Sequence, residues 1–310
     1  MLVMGEVHTG LLQNSGEISE STCRQVLDLL SGESVRVSRR PIVYAISPDR
    51  LTGVDCRLPS ASQSRVRGVG TVLSRCAVTG GRIAQGSSYA RVERATADRR
   101  LPWSHYLARP GIVEVLGKAK TRDLADGFAG DPPSGCLDLG AISGRFLDLV
   151  QSSPVLDRRA PFKMPRSRLR WVAESGDPSI RFTLHSDQSR TVHLVHRGEF
   201  TPDVVDLCED LALHDWLLTA LLALVERAGI GTTPGPQAAA KLSPAVDHLL
   251  HLWMPAAHVD GSMAAYWESL DRRPGFTRQW RSLVDRVRDQ LALNTLSLLS
   301  MNAEAGRRWQ

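Results

Sequence analysis

The chain lacks the devices that hold small secreted folds together. Its 310 residues include only five cysteines, Cys23, Cys56, Cys76, Cys136 and Cys208, an odd number with no C-x-x-C pair. That spacing argues against a disulfide framework, a zinc ribbon and a thioredoxin-type motif, and it points to a reducing, cytoplasmic compartment. Long apolar runs are missing as well. The most apolar stretch, Leu211 to Val225, spans fifteen residues and contains His214 and Asp215, too short and too polar for a bilayer. The opening MLVMGEVHTG has neither the charged segment nor the small-residue cleavage site of a secretion signal. No H-E-x-x-H and no G-x-S-x-G occurs, and the glycine-rich GIGTTPGP at 229–236 has no G-K-[ST] and follows a helical pattern. Membrane, metalloprotease, hydrolase-elbow and P-loop readings therefore have no motif behind them, and neither a cofactor nor a catalytic residue is indicated.

What is present is an ordinary globular composition, 42% apolar and 23% charged, long enough for a sizeable core. The net charge of +5 is unevenly spread. Residues 1–150 hold 19 basic and 15 acidic side chains, 151–200 hold 9 and 5, and 201–310 hold 10 and 13. A basic first part thus precedes an acidic last part.

The pattern predicts an α+β protein: a mixed, β-rich domain over 1–200 with basic loops, then a helical bundle over 201–310. Short β-branched runs at Leu2–Met4, Val35–Val37 and Ile42–Ile46 read as strands. Thr79-Gly80-Gly81 between β-prone runs reads as a hairpin turn. Helices are expected at Ser21–Leu30 and Leu139–Val150, and the segments Ile112–Gly117 and Arg122–Phe128 also fit helical spacing. Three short strands are expected at Leu169–Val172, Ile180–Leu184 and Thr191–Val195. Thr201-Pro202 resembles an N-cap with proline at the first helical position, opening a long helix to Ala228. Ser243-Pro244 reads as the start of a second helix to Trp253, a short helix follows over Met263–Leu270, and a last one opens near Gly275.

Three constellations carry chemistry. Asp210 and His214 on the long helix, with Asp247, His248 and His251 on the next, have the carboxylate–imidazole spacing that can chelate a transition metal. The plainer reading is i, i+4 polar pairs at a bundle edge. Arg99, Arg100, Trp103, His105, Tyr106 and Arg109 interleave cations with rings, as a base-stacking or partner-binding surface does, and as a packed surface segment also does. Arg158, Arg159, Arg166, Arg168 and Arg170 form a basic stretch that can follow a phosphate backbone or an acidic partner, or simply be solvated.

The strings LTGVDCRLP at 51–59, RLPWSHYLARPG at 100–111, LCEDLALHDWLLTALL at 207–222, HLLHLWMP at 248–255 and RPGFTRQW at 273–280 together resemble a family of actinobacterial proteins, of the Streptomyces type, without an assigned activity. The resemblance covers nearly the whole chain, and an excess of 34 arginines over four lysines agrees with a GC-rich source. It implies a component of a multi-protein system, encoded beside a variant P-loop protein and a methyltransferase-like protein. It implies no site residues. The expectation is a non-enzymatic adaptor with protein partners. A metal-dependent module at the five Asp and His residues is the alternative, and nucleic-acid binding through the arginine segments is the weaker one.

Overall fold

The computed structural model describes residues 1–307 except 31, 98, 131 and 199–201, with side chains described as far as residue 300. The expected cap at Thr201 lies outside the described residues. The chain is an α+β protein built on one mixed sheet of ten strands. By contact it divides into two compact units, Met1–Leu213 with Pro255–Leu270, and His214–Met254 with Asp271–Gln310.

In the first unit the strands are β1 (Leu2–Leu11), β2 (Arg36–Ser38), β3 (Tyr44–Ile46), β4 (Arg50–Arg57), β5 (Arg67–Thr79), β6 (Ile83–Arg94), β7 (Ile112–Leu116), β8 (Ser167–Ser175), β9 (Ser179–Ser186) and β10 (Ser189–His196). Their order is β2-β3-β5-β7-β6-β1-β8-β10-β9, with β4 also on β5. The organising feature is the long β5–β6 hairpin. Gly80 and Gly81 both hold positive φ, 55° and 59°, the backbone such a turn requires. Near the turn the two strands pair directly, Leu73–Thr79 with Ile83–Tyr89. Farther out they separate, and β7 fills the gap, antiparallel to β5 at Arg67–Gly70 and parallel to β6 at Arg91–Arg94. The segment Ile112–Leu116 is therefore a strand and not the helix its spacing allowed. Its β-branched Ile112, Val113 and Val115 suit a pleated, buried slot, and Val113 is wholly buried there.

The three later strands do join the N-terminal sheet. β8 lies antiparallel on β1, β10 runs parallel to β8, and β9 closes the edge. Helices α1 (Glu20–Leu27), α2 (Trp103–Leu107), α3 (Thr121–Ala129) and α4 (Leu139–Gln151) come from the same unit. Ser19 caps α1, and Asp138 caps α4 by accepting from the amide of Ala141 at 2.8 Å. Leu124, Ala125 and Phe128 of α3, with Leu139 of α4, share a core with Leu2, Met4, Val92, Val113 and Val172 of the sheet. Leu147 and Val150 of α4 pack with Cys23, Val26 and Leu27 of α1 over Cys76, Val78 and Ala84. Truncating a wholly buried leucine such as Leu147 to alanine would cost about 2–5 kcal/mol.

The remaining helices are α5 (Pro202–Ala228), α6 (Gly235–His248), α7 (Ala264–Arg272) and α8 (Phe276–Arg307). α5 supplies its first part to one unit and its second part to the other. α6 starts at Gly235, so Pro244 lies inside it, and Ser243 bonds forward to Asp247 instead of opening a helix. In the second unit the indoles of Trp253 and Trp280 stack at 4.3 Å, with planes 9° apart. No helix among the described residues is long and apolar enough to cross a membrane.

Candidate functional site

A group of charged side chains that includes a buried Arg–Glu pair forms where the early turns of α5 meet β3 and β5. Arg75 of β5 is buried, and its guanidinium binds Glu209 through two bonds, Nε to Oε1 at 2.8 Å and Nη2 to Oε2 at 3.0 Å. The same Nη2 also pairs with Asp206. Tyr44 donates to Glu209 Oε2 at 3.5 Å and stacks on His258, ring centres 4.6 Å apart. Gln85 holds the backbone here, its amide donating to the Glu209 carbonyl at 2.9 Å and to the Thr9 hydroxyl at 3.1 Å. A cavity of about 280 Å³ opens beside this network, lined among others by Arg36, Tyr44, Asp206, Glu209 and His258.

Its chemistry is that of a fixed ion network. Burial opposes the Arg75 charge, but Glu209, Tyr44 and Asp206 together outweigh it and hold the guanidinium well above its ordinary value. Burial, then Glu209, pushes the Tyr44 hydroxyl up, so it stays protonated. Neither group exchanges protons near neutrality. Local pattern did not single out Arg75 or Tyr44, because their partners lie more than a hundred residues away. Asp206 and Glu209 are acids one turn apart in the early turns of α5, but Asp203 and Asp210 flank them, so their spacing does not mark them out.

The five residues with metal-ligand spacing have separate uses. Asp210 Oδ2 accepts from the Ala256 amide at 2.8 Å and from the Trp267 indole at 2.7 Å. His214 Nε2 accepts from the Met254 amide at 3.2 Å, and its ring meets Trp253 edge-on at 5.0 Å. Asp247 accepts from Ser243 at 2.7 Å, His248 ends α6, and His251 is exposed in the short 3-10 turn Leu250–Leu252. Among the described residues no three His, Cys, Asp or Glu side chains gather in a way that would hold a metal ion.

The arginine segments are tied into the sheet. Arg100 pairs with Asp55 at 3.0 Å and lies over the Trp103 ring at 5.2 Å. Tyr106 is buried and accepts from the Leu101 amide. Arg109 bridges Glu93 and the buried Glu114, and His105 meets the same Glu114 at 2.8 Å. Arg166 pairs with Asp148 at 2.6 Å, and Arg168 and Arg170 both face Glu6 at 3.3 Å. Arg99, Arg158 and Arg159 are exposed.

Nucleophilic groups are equally constrained. His8 Nδ1 lies 2.9 Å from Ser143 Oγ, but Ser143 is fully buried and also donates to the Gly140 carbonyl at 3.2 Å. Burial, then Arg168 and Arg166, lowers His8 to about 4. Burial raises Cys56 to about 11, leaving little thiolate at neutral pH.

One surface departs from this internal pairing. Leu293, Leu296, Leu298 and Leu299 on the later turns of α8 are between 47% and 62% exposed. From Gln290 to Ala303 the sequence has no charged residue. No family model matches the chain, and comparisons with curated proteins and with solved structures give no match.

Proposed function

We propose that the protein is a non-enzymatic interaction subunit that docks a different protein through the later turns of α8. The observation that carries this reading is the four exposed leucines there, in a stretch, Gln290 to Ala303, whose sequence holds no charged residue. Leu293, Leu296 and Leu299 follow one another at three-residue spacing, and clustered exposed apolar side chains mark interaction sites, protein-binding ones among them. The fitting partner presents an apolar groove or helix face, because an uncharged amphipathic surface offers nothing to an ionic one. The resemblance to an actinobacterial family implied a multi-protein system, and an adaptor is consistent with it. All five cysteines are free thiols, which supports a reducing, cytoplasmic setting.

The same reading takes the helices of the second unit, the later part of α5 with α6 and α8, as a bundle that carries the α8 surface. The Trp253–Trp280 stack and the burial of Leu242, Leu283 and Val287 support that arrangement. The deciding experiment is affinity capture from the native cell with the wild-type chain and with Leu293→Gln/Leu296→Gln/Leu299→Gln. A stoichiometric protein retained by the first and lost by the second is expected. Equal retention by both, or no stoichiometric partner for either, would overturn the proposal.

A further inference from the structure

Among the described residues β9 is the last strand of the sheet and pairs with β10 alone. Six of its eight residues are exposed and the other two are half-buried. A strand of this length at an edge offers a row of unpaired backbone groups. Natural edges are commonly blunted with proline, charge or a bulge; β9, Ser-Ile-Arg-Phe-Thr-Leu-His-Ser, has no proline or lysine, one arginine, Arg181, and a register shift at its far end, beyond Leu184. Ile180, Phe182 and Leu184 share one face by the two-residue period of a strand. Leu184 is 60% exposed. At the other end of the same face, Ile180 lines a cavity of about 580 Å³ together with Met263, Ala265 and Tyr266.

We infer that β9 pairs antiparallel with β9 of a second copy of this chain, about a two-fold axis at Phe182. In that register Ile180 lies opposite Leu184 of the copy, so the exposed leucine of each chain reaches the cavity beside Ile180 of the other. Arg181 then faces Thr183. One strand thus carries both the projecting residue and the hollow, and their four-residue separation is the offset that two-fold pairing about Phe182 demands. A self-complementary patch is the mark of an isologous dimer.

Neighbouring registers fit worse. A slip of one residue turns the apolar face of one strand to the opposite side of the sheet from the other. Moving the axis to Arg181 sets two arginines directly opposite each other, which is destabilising. Moving it to Thr183 sets Ile180 against Ser186 and takes Leu184 away from the cavity. Asp177 and Asp187 lie in the turns beyond the strand. The inference is independent of α8, whose partner is a different protein.

The test is sedimentation velocity of the full chain over a wide concentration range, combined with cysteine cross-linking. A monomer–dimer equilibrium is expected for the wild type. Leu184→Asp should weaken it by at least about tenfold, with the near-ultraviolet circular dichroism unchanged because the side chain is exposed. Under mild oxidation Phe182→Cys should give a 182–182 disulfide, identified by peptide mapping against the native thiols. Leu184→Cys should not cross-link alone but should do so with Ile180→Cys. A wild type that stays monomeric throughout overturns the inference. So does a dimer that survives Leu184→Asp, or one lost only when the α8 leucines are replaced.

Discussion

Arg75 carries its charge inside the protein, and its environment makes sense only as a unit. Removing the guanidinium leaves Glu209 buried without its counter-ion, whereas removing both charges leaves an apolar gap that hydrophobic side chains can fill. Arg75→Met should therefore cost about 3–5 kcal/mol, and the double change Arg75→Met/Glu209→Leu should cost clearly less, in urea unfolding monitored by fluorescence. His8 gives a second residue-level expectation. It protonates near 6.5 in the unfolded chain and at about 4 in the folded one. Between those values the unfolded state binds the extra proton, so stability falls as pH falls from 6.5 towards 4, by up to about 3 kcal/mol. Glu6, raised by burial against the pull of Arg170 and Arg168, acts with the opposite sign. The difference between wild type and His8→Gln, followed by unfolding at a series of pH values, isolates the histidine: it should shrink on acidification. Neither group was legible in the sequence, because each is made unusual by strands and helices far along the chain. Asp210 was flagged by its helical spacing to His214, yet its bonds to Ala256 and Trp267 come from elsewhere, which spacing cannot show.

Elements whose cause is local were readable. The Gly80-Gly81 turn, the amphipathic face of α4 and the apolar periodicity at the start of α8 each follow from a few adjacent residues. β7 was misread because its partners decide its state: an isolated Ile-Val-Glu-Val-Leu is ambiguous, and it becomes a strand in the gap between β5 and β6. Pro244 resembles a first-turn proline, so the sequence places this helix at Ser243–Trp253, later at both ends than the observed Gly235–His248. The β7 slot also explains Gly70. A Cβ there would stand 2.0 Å from the Ile112 carbonyl oxygen, and a backbone atom held by two strand pairings cannot retreat. Gly70→Ala should destabilise by about 1–3 kcal/mol or more. Gly16→Ala, which meets nothing within 4 Å, should shift the denaturation midpoint little. The later turns of α8 behave oppositely to a core element. The triple glutamine change at Leu293, Leu296 and Leu299 should alter stability by no more than about 0.5 kcal/mol per site, measured by calorimetry, because those side chains are largely solvated before any partner arrives.

At the scale of the whole molecule, charge sums mislead where charge geometry does not. The first 200 residues carry 28 basic and 20 acidic side chains, a surplus that alone would suit a polyanion. Yet Arg100, Arg109, Arg166, Arg168 and Arg170 are each engaged by a carboxylate of the sheet or of α4, and Glu6 and Glu114, which hold three of them, are buried. Binding a phosphate backbone would require Arg109, Arg168 and Arg170 to leave Glu114 and Glu6, stranding those buried carboxylates at a cost of about 3–5 kcal/mol each. Arg99, Arg158 and Arg159 remain exposed, on two separate segments. These two segments thus offer a polyanion few cations and release few counter-ions, so they should support no band shift with single- or double-stranded DNA or RNA at micromolar protein in low salt. Any residual binding should have a log–log salt slope no steeper than about −3. A steep slope, with binding lost in Arg168→Ala and Arg170→Ala, would show instead that the inward-facing arginines turn outward to a polyanion.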